Sequence, residues 1–345
     1  MTKQIHIGGV PIGGGAPVSI QSMCNTPTED VEATVAQIHR LEQAGCDIIR
    51  VAVPNKEAAR AVGAIKERIS IPLVVDIHFD YRLALEAVAA GADKVRINPG
   101  NIGGEDRVKA VAQACRAKGV PIRIGVNGGS LEKGLLEKYG GVTPEALVES
   151  AFGHIALLNK FDFDDICVSL KSSDVRTTMA AYRLMSERSG YPLHLGVTET
   201  GTRRMGAIKS AVGIGGLLGF GIGDTLRVSL SADPVEEVYA ARDILKALGI
   251  RKDGPDLISC PTCGRTKIDL IGLAEEVERR LQAVDKPITV AVMGCVVNGP
   301  GEASAADVGI AGGDGVGLLF RKGEIVKKVP QERLVDELFA LIDTL

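Results

Sequence analysis

The chain has 345 residues, 45% of them hydrophobic, and a formal net charge of −3. That length exceeds most single domains but accommodates one barrel and a smaller domain, with enough apolar residues for a large core. The charge leaves no footprint for nucleic acid, no apolar run reaches the length needed to span a bilayer, and residues 1–9 lack the basic and apolar regions of a secretory signal. Seven scattered cysteines, an odd number, do not form a disulfide framework and point to a reducing, cytoplasmic setting.

Taken in chain order, short β-branched runs occupy residues 18–22, 47–53, 73–78, 94–98, 122–127, 166–171, 193–199 and 225–230. Turn residues and an amphipathic helical stretch follow each of them. This repetition predicts an α/β fold, a (β/α)8 TIM barrel over residues 1–248. An open doubly wound sheet is the rival, but it more often shows fewer strands and a Gly-rich first turn. In the last unit, Asp233 is placed to cap a helix and Pro234 to begin it. Glu236 and Glu237 complement its dipole, and Gly249 ends it. Residues 249–256 read as a linker. Residues 257–345 predict a small α+β domain. It holds a helix near 267–284, strands at 288–293, 308–310, 316–321 and 324–329, and a terminal helix from about Pro330. Gly312-Gly-Asp-Gly-Val-Gly317 reads as a hairpin turn rather than a phosphate loop, because no helix follows it.

Polar residues recur at one end of the predicted barrel strands. They are Gln21, Arg50, Asp76, His78, Arg96, Asn98, Arg123, Asn127, Lys171, Glu199 and Arg227. The tolerant place for charge in such a strand is the C-terminal mouth of the barrel. An excess of cations there predicts a small substrate carrying several negative charges, with arginines suited to phosphate oxygens. The competing reading for each residue alone is a structural ion pair. Cys24, Cys46, Cys115 and Cys167 read as small buried hydrophobes. His6, His39, His154 and His194 carry no functional reading.

Cys260-Pro-Thr-Cys263 and the later run Cys295-Val-Val-Asn-Gly-Pro-Gly-Glu302 form the second constellation. Three soft thiolates with one hard oxygen, Glu302, suit an iron–sulfur cluster that keeps one iron available for chemistry. A structural zinc site is the alternative, although a zinc ribbon needs a second cysteine pair. Two other functions compete: a zinc-stabilised barrel enzyme acting on another phosphorylated substrate, and a non-enzymatic iron–sulfur carrier or sensor fused to a phosphate-binding barrel.

The motifs Ser19-Ile-Gln-Ser-Met23, Asp76-Ile-His78, Val95-Arg96-Ile-Asn98, Arg123-Ile-Gly-Val-Asn127, Ser169-Leu-Lys171 and Gly196-Val-Thr-Glu199 occur here in that order. With the two cysteine motifs, they make the chain resemble the bacterial 4-hydroxy-3-methylbut-2-enyl diphosphate synthases of the non-mevalonate isoprenoid pathway over nearly its whole length. The resemblance implies a [4Fe–4S] cluster held by Cys260, Cys263, Cys295 and Glu302. It implies 2-C-methyl-D-erythritol 2,4-cyclodiphosphate as substrate, opened reductively with two electrons from ferredoxin or flavodoxin. Arg50, Arg96, Arg123, Asn127, Lys171 and Arg227 would hold the diphosphate, and Glu199 would be the acidic group near the reacting carbons. Cys24 stands where the family pattern has Thr, and Thr200 where it has Ala. A homodimer is also expected. The eighth helix ends at the barrel's far end, about 25–30 Å from the mouth, and the linker spans at most about 28 Å. Each cluster domain would therefore cover the partner's barrel.

Overall fold

The computed structural model describes the chain from Met1 to Leu345 except for Pro99, Asp253, residues 297–300 and Glu302. Contacts divide it into two units, Met1–Leu248 and Gly249–Leu345.

The first unit opens with a hairpin of β1 (Ile5–Ile7) and β2 (Val10–Ile12), absent from the sequence-based expectation. Eight parallel strands follow: β3 (Ser19–Met23), β4 (Ile48–Ala52), β5 (Leu73–Asp76), β6 (Lys94–Ile97), β7 (Ile122–Asn127), β8 (Ile166–Lys171), β9 (His194–Leu195) and β10 (Thr225–Leu226). They pair in the order β8-β7-β6-β5-β4-β3-β10-β9. A parallel bridge between Val168 and Leu193 joins β8 to the segment entering β9, so the sheet is a nearly closed barrel. The last two strands are shorter than the runs at 193–199 and 225–230, because their upper ends leave the sheet for loops.

Helices α1 (Val31–Gln43), α2 (Lys56–Lys66), α3 (Tyr81–Ala89) and α4 (Glu105–Lys118) follow β3 to β6. After β7 come α5 (Lys133–Tyr139) and α6 (Pro144–Asn159), and after β8 comes α7 (Val175–Arg188). After β9, α8 (Arg203–Ser210) runs through a π-helical turn at Ala211–Gly215 into α9 (Gly216–Leu218), and α10 (Pro234–Ala247) closes the unit. Short polar side chains begin many of them. Asp30, Asn55, Asp80, Thr143, Asp174 and Asp233 each accept a first-turn backbone N–H, which satisfies a donor the helix cannot.

Strand alternation assigns the two faces. Ile49 and Val51, Val95 and Ile97, Ile122, Ile124 and Val126, and Val168 and Leu170 belong to the core shared with the helices. The residues between them, Arg50, Lys94, Arg96, Arg123, Gly125, Cys167, Ser169 and Lys171, therefore face the lumen. At the N-terminal end of the strands, Ile48, Val74 and Cys167 pack with Ile5, Ile7 and Ile12 of the hairpin. The barrel thus has an apolar floor and a polar interior above it.

The second unit contains one mixed sheet in the order β11 (Asp256–Ser259), β12 (Thr289–Met293), β13 (Val308–Ala311), β14 (Val316–Arg321) and β15 (Glu324–Pro330). The first three strands are parallel and the last two antiparallel. Helix α11 (Leu270–Leu281) and a C-terminal helix, Leu334–Asp343, contribute to its core through Val277, Leu281, Leu338 and Ile342. The glycines after Ala311 form the turn between antiparallel β13 and β14. Strand β11 begins at Asp256, the last residue of the expected linker, and was not among the expected strands. Its burial is slight, so hydropathy alone gave it no mark.

Candidate active site

The barrel lumen gathers side chains from all eight strands. Arg96 on β6 donates from Nη1 to Asp76 Oδ1 at 3.0 Å, and Arg50 on β4 places Nε 3.8 Å from Asp76 Oδ2. Arg50 also directs Nε and Nη2 at the thioether of Met23, at 3.1 and 2.8 Å. Arg227 is gripped from α10 by Glu237, with Nε 3.3 Å and Nη2 3.2 Å from Oε2. The same carboxylate accepts the Leu230 N–H at 2.9 Å. Glu237 therefore holds a lumen arginine rather than simply complementing a helix dipole. With its amide oriented to satisfy its neighbours, Asn127 accepts from Arg96 Nη2 at 3.3 Å.

Two glycines make room for these cations. A Cβ on Gly125 would lie 2.6 Å from Arg96 Nε, and one on Gly196 would lie 2.8 Å from Lys171 Nζ. A glycine inside a strand commonly marks such a close approach. That signal is present in both strand sequences, yet neither Gly125 nor Gly196 was among the expected site residues. Lys94, Met23 and Glu237 were also missed.

Charge in this lumen is unbalanced. Arg50, Lys94, Arg96, Arg123 and Lys171 are buried, and Arg227 nearly so, while Asp76 and Glu237 are the buried carboxylates that pair with them. Burial would raise the Asp76 carboxyl, but Arg50 overrides it, with His78 and Arg96, and holds it well below the usual carboxylate range. Burial pushes the Lys171 amine far down, and the crowd of Arg123, Arg50, Arg227 and Arg96 adds to it. The Arg123 guanidinium is pushed down to about 10 by burial and then by Arg96. Its Nε and Nη1, together with Arg96 Nε and Gln21 Nε2, are buried donors with no protein acceptor. A multiply charged anion supplies what the lumen lacks: negative charge and acceptor oxygens.

The other expected residues sit around this cluster. His78 is more than half exposed and lies 3.7 Å from Asp76 Oδ2. Asn98 is buried and its Oδ1 accepts the Gly100 N–H at 3.1 Å, which shapes the turn after β6. Glu199 is exposed on the loop after β9 and holds a left-handed backbone, φ 54°, which is uncommon for a residue with a Cβ. The neighbouring Thr200 is buried, and its hydroxyl donates to the Ser229 carbonyl. The Ser231 N–H donates to the Gly201 carbonyl at 3.0 Å. The loops after β9 and β10 are thus tied together beside Glu199, partly by the hydroxyl that alanine would lack. Cys24 is buried, and burial pushes its thiol up to about 12, which fits a packing role.

In the second unit, Cys260 follows β11 and Cys295 follows β12 beyond Gly294. These strands are parallel neighbours, with Ser259 opposite Val292, so both cysteine segments leave from the same, C-terminal end of the two strands. The Gly294 N–H donates to Cys260 Sγ at 3.2 Å. Cys263 is exposed, and its thiol is pulled down by the backbone N–H and then the side chain of Arg265. All three thiols are free, and backbone N–H donors to sulfur favour the thiolate form that ligates a cluster. Glu302 lies outside the described residues. Its neighbour Ala303 belongs to the same small apolar cluster as Cys260. Among the described residues, no three His, Cys, Asp or Glu side chains are gathered as a metal-holding group.

Fold and site together define a (β/α)8-barrel protein with a cationic lumen and a separate cysteine-bearing α+β domain. The GcpE TIM-barrel domain matches residues 2–242, and the GcpE protein C-terminal domain matches residues 256–344. The chain belongs to the GcpE family. It is 61% identical over 343 residues to the 4-hydroxy-3-methylbut-2-en-1-yl diphosphate synthase (flavodoxin) of Caldanaerobacter subterraneus, covering 99% of this chain and 97% of that one. The protein of the same name from Clostridium perfringens is 60% identical over 344 residues, covering 100% and 99%. Among solved structures, dihydropteroate synthase of Yersinia pestis aligns with TM-score 0.53 at 15% identity, over 73% of this chain and all of that one. Type I 3-dehydroquinate dehydratase of Clostridium difficile aligns with TM-score 0.52 at 15% identity, over 72% and 98%. At that identity the two structures share the barrel fold alone.

Proposed function

We infer that this chain converts 2-C-methyl-D-erythritol 2,4-cyclodiphosphate to 4-hydroxy-3-methylbut-2-enyl diphosphate. The reaction is a two-electron reductive ring opening with loss of one hydroxyl as water. The observation that carries this reading is the near-full-length identity to synthases of that name, which spans both units. The cationic lumen supports it independently, since a cyclic diphosphate offers the charge and acceptors the buried donors lack.

On this reading the diphosphate sits against Arg50, Arg96, Arg123, Asn127, Lys171 and Arg227, with Gln21, His78 and Asn98 at its margins. Asp76 and Glu237 aim Arg50, Arg96 and Arg227 before substrate arrives, so little reorganisation is needed on binding. Glu199, fixed by its left-handed backbone and the tied loop, presents its carboxylate towards the reacting carbons. A [4Fe–4S] cluster would be held by Cys260, Cys263, Cys295 and Glu302. When bound, it supplies low-potential electrons and Lewis acidity for C–O cleavage. Flavodoxin is the favoured electron donor, because the relatives carry it in their names, and ferredoxin is the alternative. No helix among the described residues is long and apolar enough to cross a membrane. We place the protein in the cytoplasm as a homodimer in which each cluster domain serves the partner's barrel.

The test is turnover. Protein reconstituted anaerobically with iron and sulfide, given the cyclodiphosphate and a chemical reductant, should form 4-hydroxy-3-methylbut-2-enyl diphosphate. A fully loaded protein that leaves the cyclodiphosphate intact would refute the function. For the dimer, Cys295→Ser and Glu199→Gln proteins are mixed under conditions that exchange subunits. Recovered activity supports sites built across the two chains, and none in demonstrated mixed dimers rejects them.

A further inference from the structure

Below the residues assigned to the diphosphate lies a basic side chain that the reaction does not use. Lys94 opens β6, faces the lumen two residues before Arg96, and is 0% exposed. The apolar floor of Ile5, Ile7, Ile12, Ile48 and Val74 shuts out water from beneath. Its Nζ donates to Gln21 Oε1 on β3 at 3.2 Å.

The groups around it come from each side of the barrel. Gln21 stands on β3, Arg50 on β4, Arg123 on β7, Cys167 on β8 and His194 on β9, while the register partner on β5 is apolar Val74. On β10, Thr225 pairs with the His194 ring at 3.4 Å. Burial, followed by the positive charges of Arg123, Lys171, Lys94 and Arg50, keeps His194 neutral. Burial raises the Cys167 thiol despite Lys94 and Arg123. Asp76 is committed to Arg50 and Arg96 higher on β5. Asp224, which acts on Cys167 from the floor, is engaged by the Thr2 hydroxyl at 2.6 Å and the Leu193 N–H at 2.8 Å. None of the groups facing Lys94 from these strands is a carboxylate.

We propose that Lys94 is a positioning residue that takes up a proton when a diphosphate enters the mouth, becoming the innermost cation that holds Arg123 and Arg50 against the bound anion. The proposal rests on the reading of the lumen as a diphosphate site. Burial pushes the amine down to about 7, and Arg123 and Arg50 add to the effect over the opposing influence of Cys167. A polyanion placed between those arginines and Lys171 reverses the sign of the field at Nζ and favours the ammonium. By linkage, one proton taken up makes affinity fall about tenfold per pH unit above the free-state pKa, until the bound-state pKa is reached. Affinity is therefore highest below about pH 7 and declines as pH rises through the alkaline window. Lys171, also buried and with its amine pushed far down, adds uptake of its own, so the diagnostic quantity is the share that disappears with Lys94.

The experiment is calorimetric titration of the oxidised, cluster-loaded protein with the cyclodiphosphate, without reductant. It is run near pH 8 in two phosphate-free buffers of different ionisation enthalpy, and affinity is then followed between pH 7 and 9. The unaltered protein should take up protons on binding. Lys94→Met should take up about one fewer and lose about one decade of affinity change per pH unit. Lys94→Arg, permanently charged, should lose the same share and serves if the methionine variant does not fold. Equal proton uptake in a folded variant and the unaltered protein overturns the proposal and leaves the substrate assignment standing. No proton uptake by the unaltered protein overturns it without any variant. Failure of that protein to bind the cyclodiphosphate removes both readings.

Discussion

Replacing Gly125 with alanine should weaken diphosphate binding without unfolding the barrel. The added Cβ would lie 2.6 Å from Arg96 Nε, 2.8 Å from Nη2 and 3.0 Å from Cζ. Ordinary contact begins near 3.4 Å, so the guanidinium must retreat by roughly 0.8 Å, and close packing leaves it little space. Arg96 Nη1 stands 3.0 Å from Asp76 Oδ1, and a retreat of that size takes the pair beyond hydrogen-bond range. Gly125 has no positive φ, so the backbone accepts alanine without strain. Loss of one charge-assisted contact costs about 1.5–3 kcal/mol, or roughly a ten- to hundredfold rise in Kd for the cyclodiphosphate. Calorimetric titration of the oxidised protein gives Kd, and thermal unfolding reports integrity. Gly153→Ala, with nothing within 4 Å of its added carbon, is the control. A folded Gly125→Ala protein that binds as tightly as the control would refute the argument that this glycine exists to admit Arg96.

Glu237→Gln removes the charge that grips Arg227 and should lower unfolding free energy by about 1–3 kcal/mol, measured by chemical denaturation. Unchanged stability would mean that Arg227 finds another partner. Lys94→Met should stabilise the fold by a few kcal/mol at pH 6. Because the folded amine is pushed down to about 7 from 10.5, this gain is full below about pH 7 and fades as pH rises towards 10.5. A gain that does not vary with pH would contradict it. Serine at Cys260, Cys263 or Cys295 should each abolish retention of iron and sulfide after reconstitution, and full content in any one removes that residue as a ligand. Glu302→Ala should retain part of the cluster and lose most turnover, and unchanged turnover would exclude Glu302.

The barrel was legible because its signal is local. Each strand is a short β-branched run followed by turn residues and an amphipathic stretch, and the last helix carries its cap, Asp233, in plain view. The polar residues of the strands were equally visible, as were the cysteines, since residue type and spacing are properties of the chain itself. What alternation could not tell was which face mattered. Both faces of a barrel strand are buried, so Lys94 looks no different from a residue of an outer ion pair until the sheet closes. Closure brought Met23 against Arg50 and Arg227, and set Glu237 of α10 against Arg227, just beyond β10. It also made clearance for arginine and lysine the reason for Gly125 and Gly196. The hairpin at Ile5–Ile7 and Val10–Ile12 has too few residues to carry a periodic signal, and its role as the floor exists only against Ile48, Val74 and Cys167. Periodicity and motif are set by neighbours a few residues apart, whereas the net charge of the lumen is a sum over eight strands that meet only when the chain is folded.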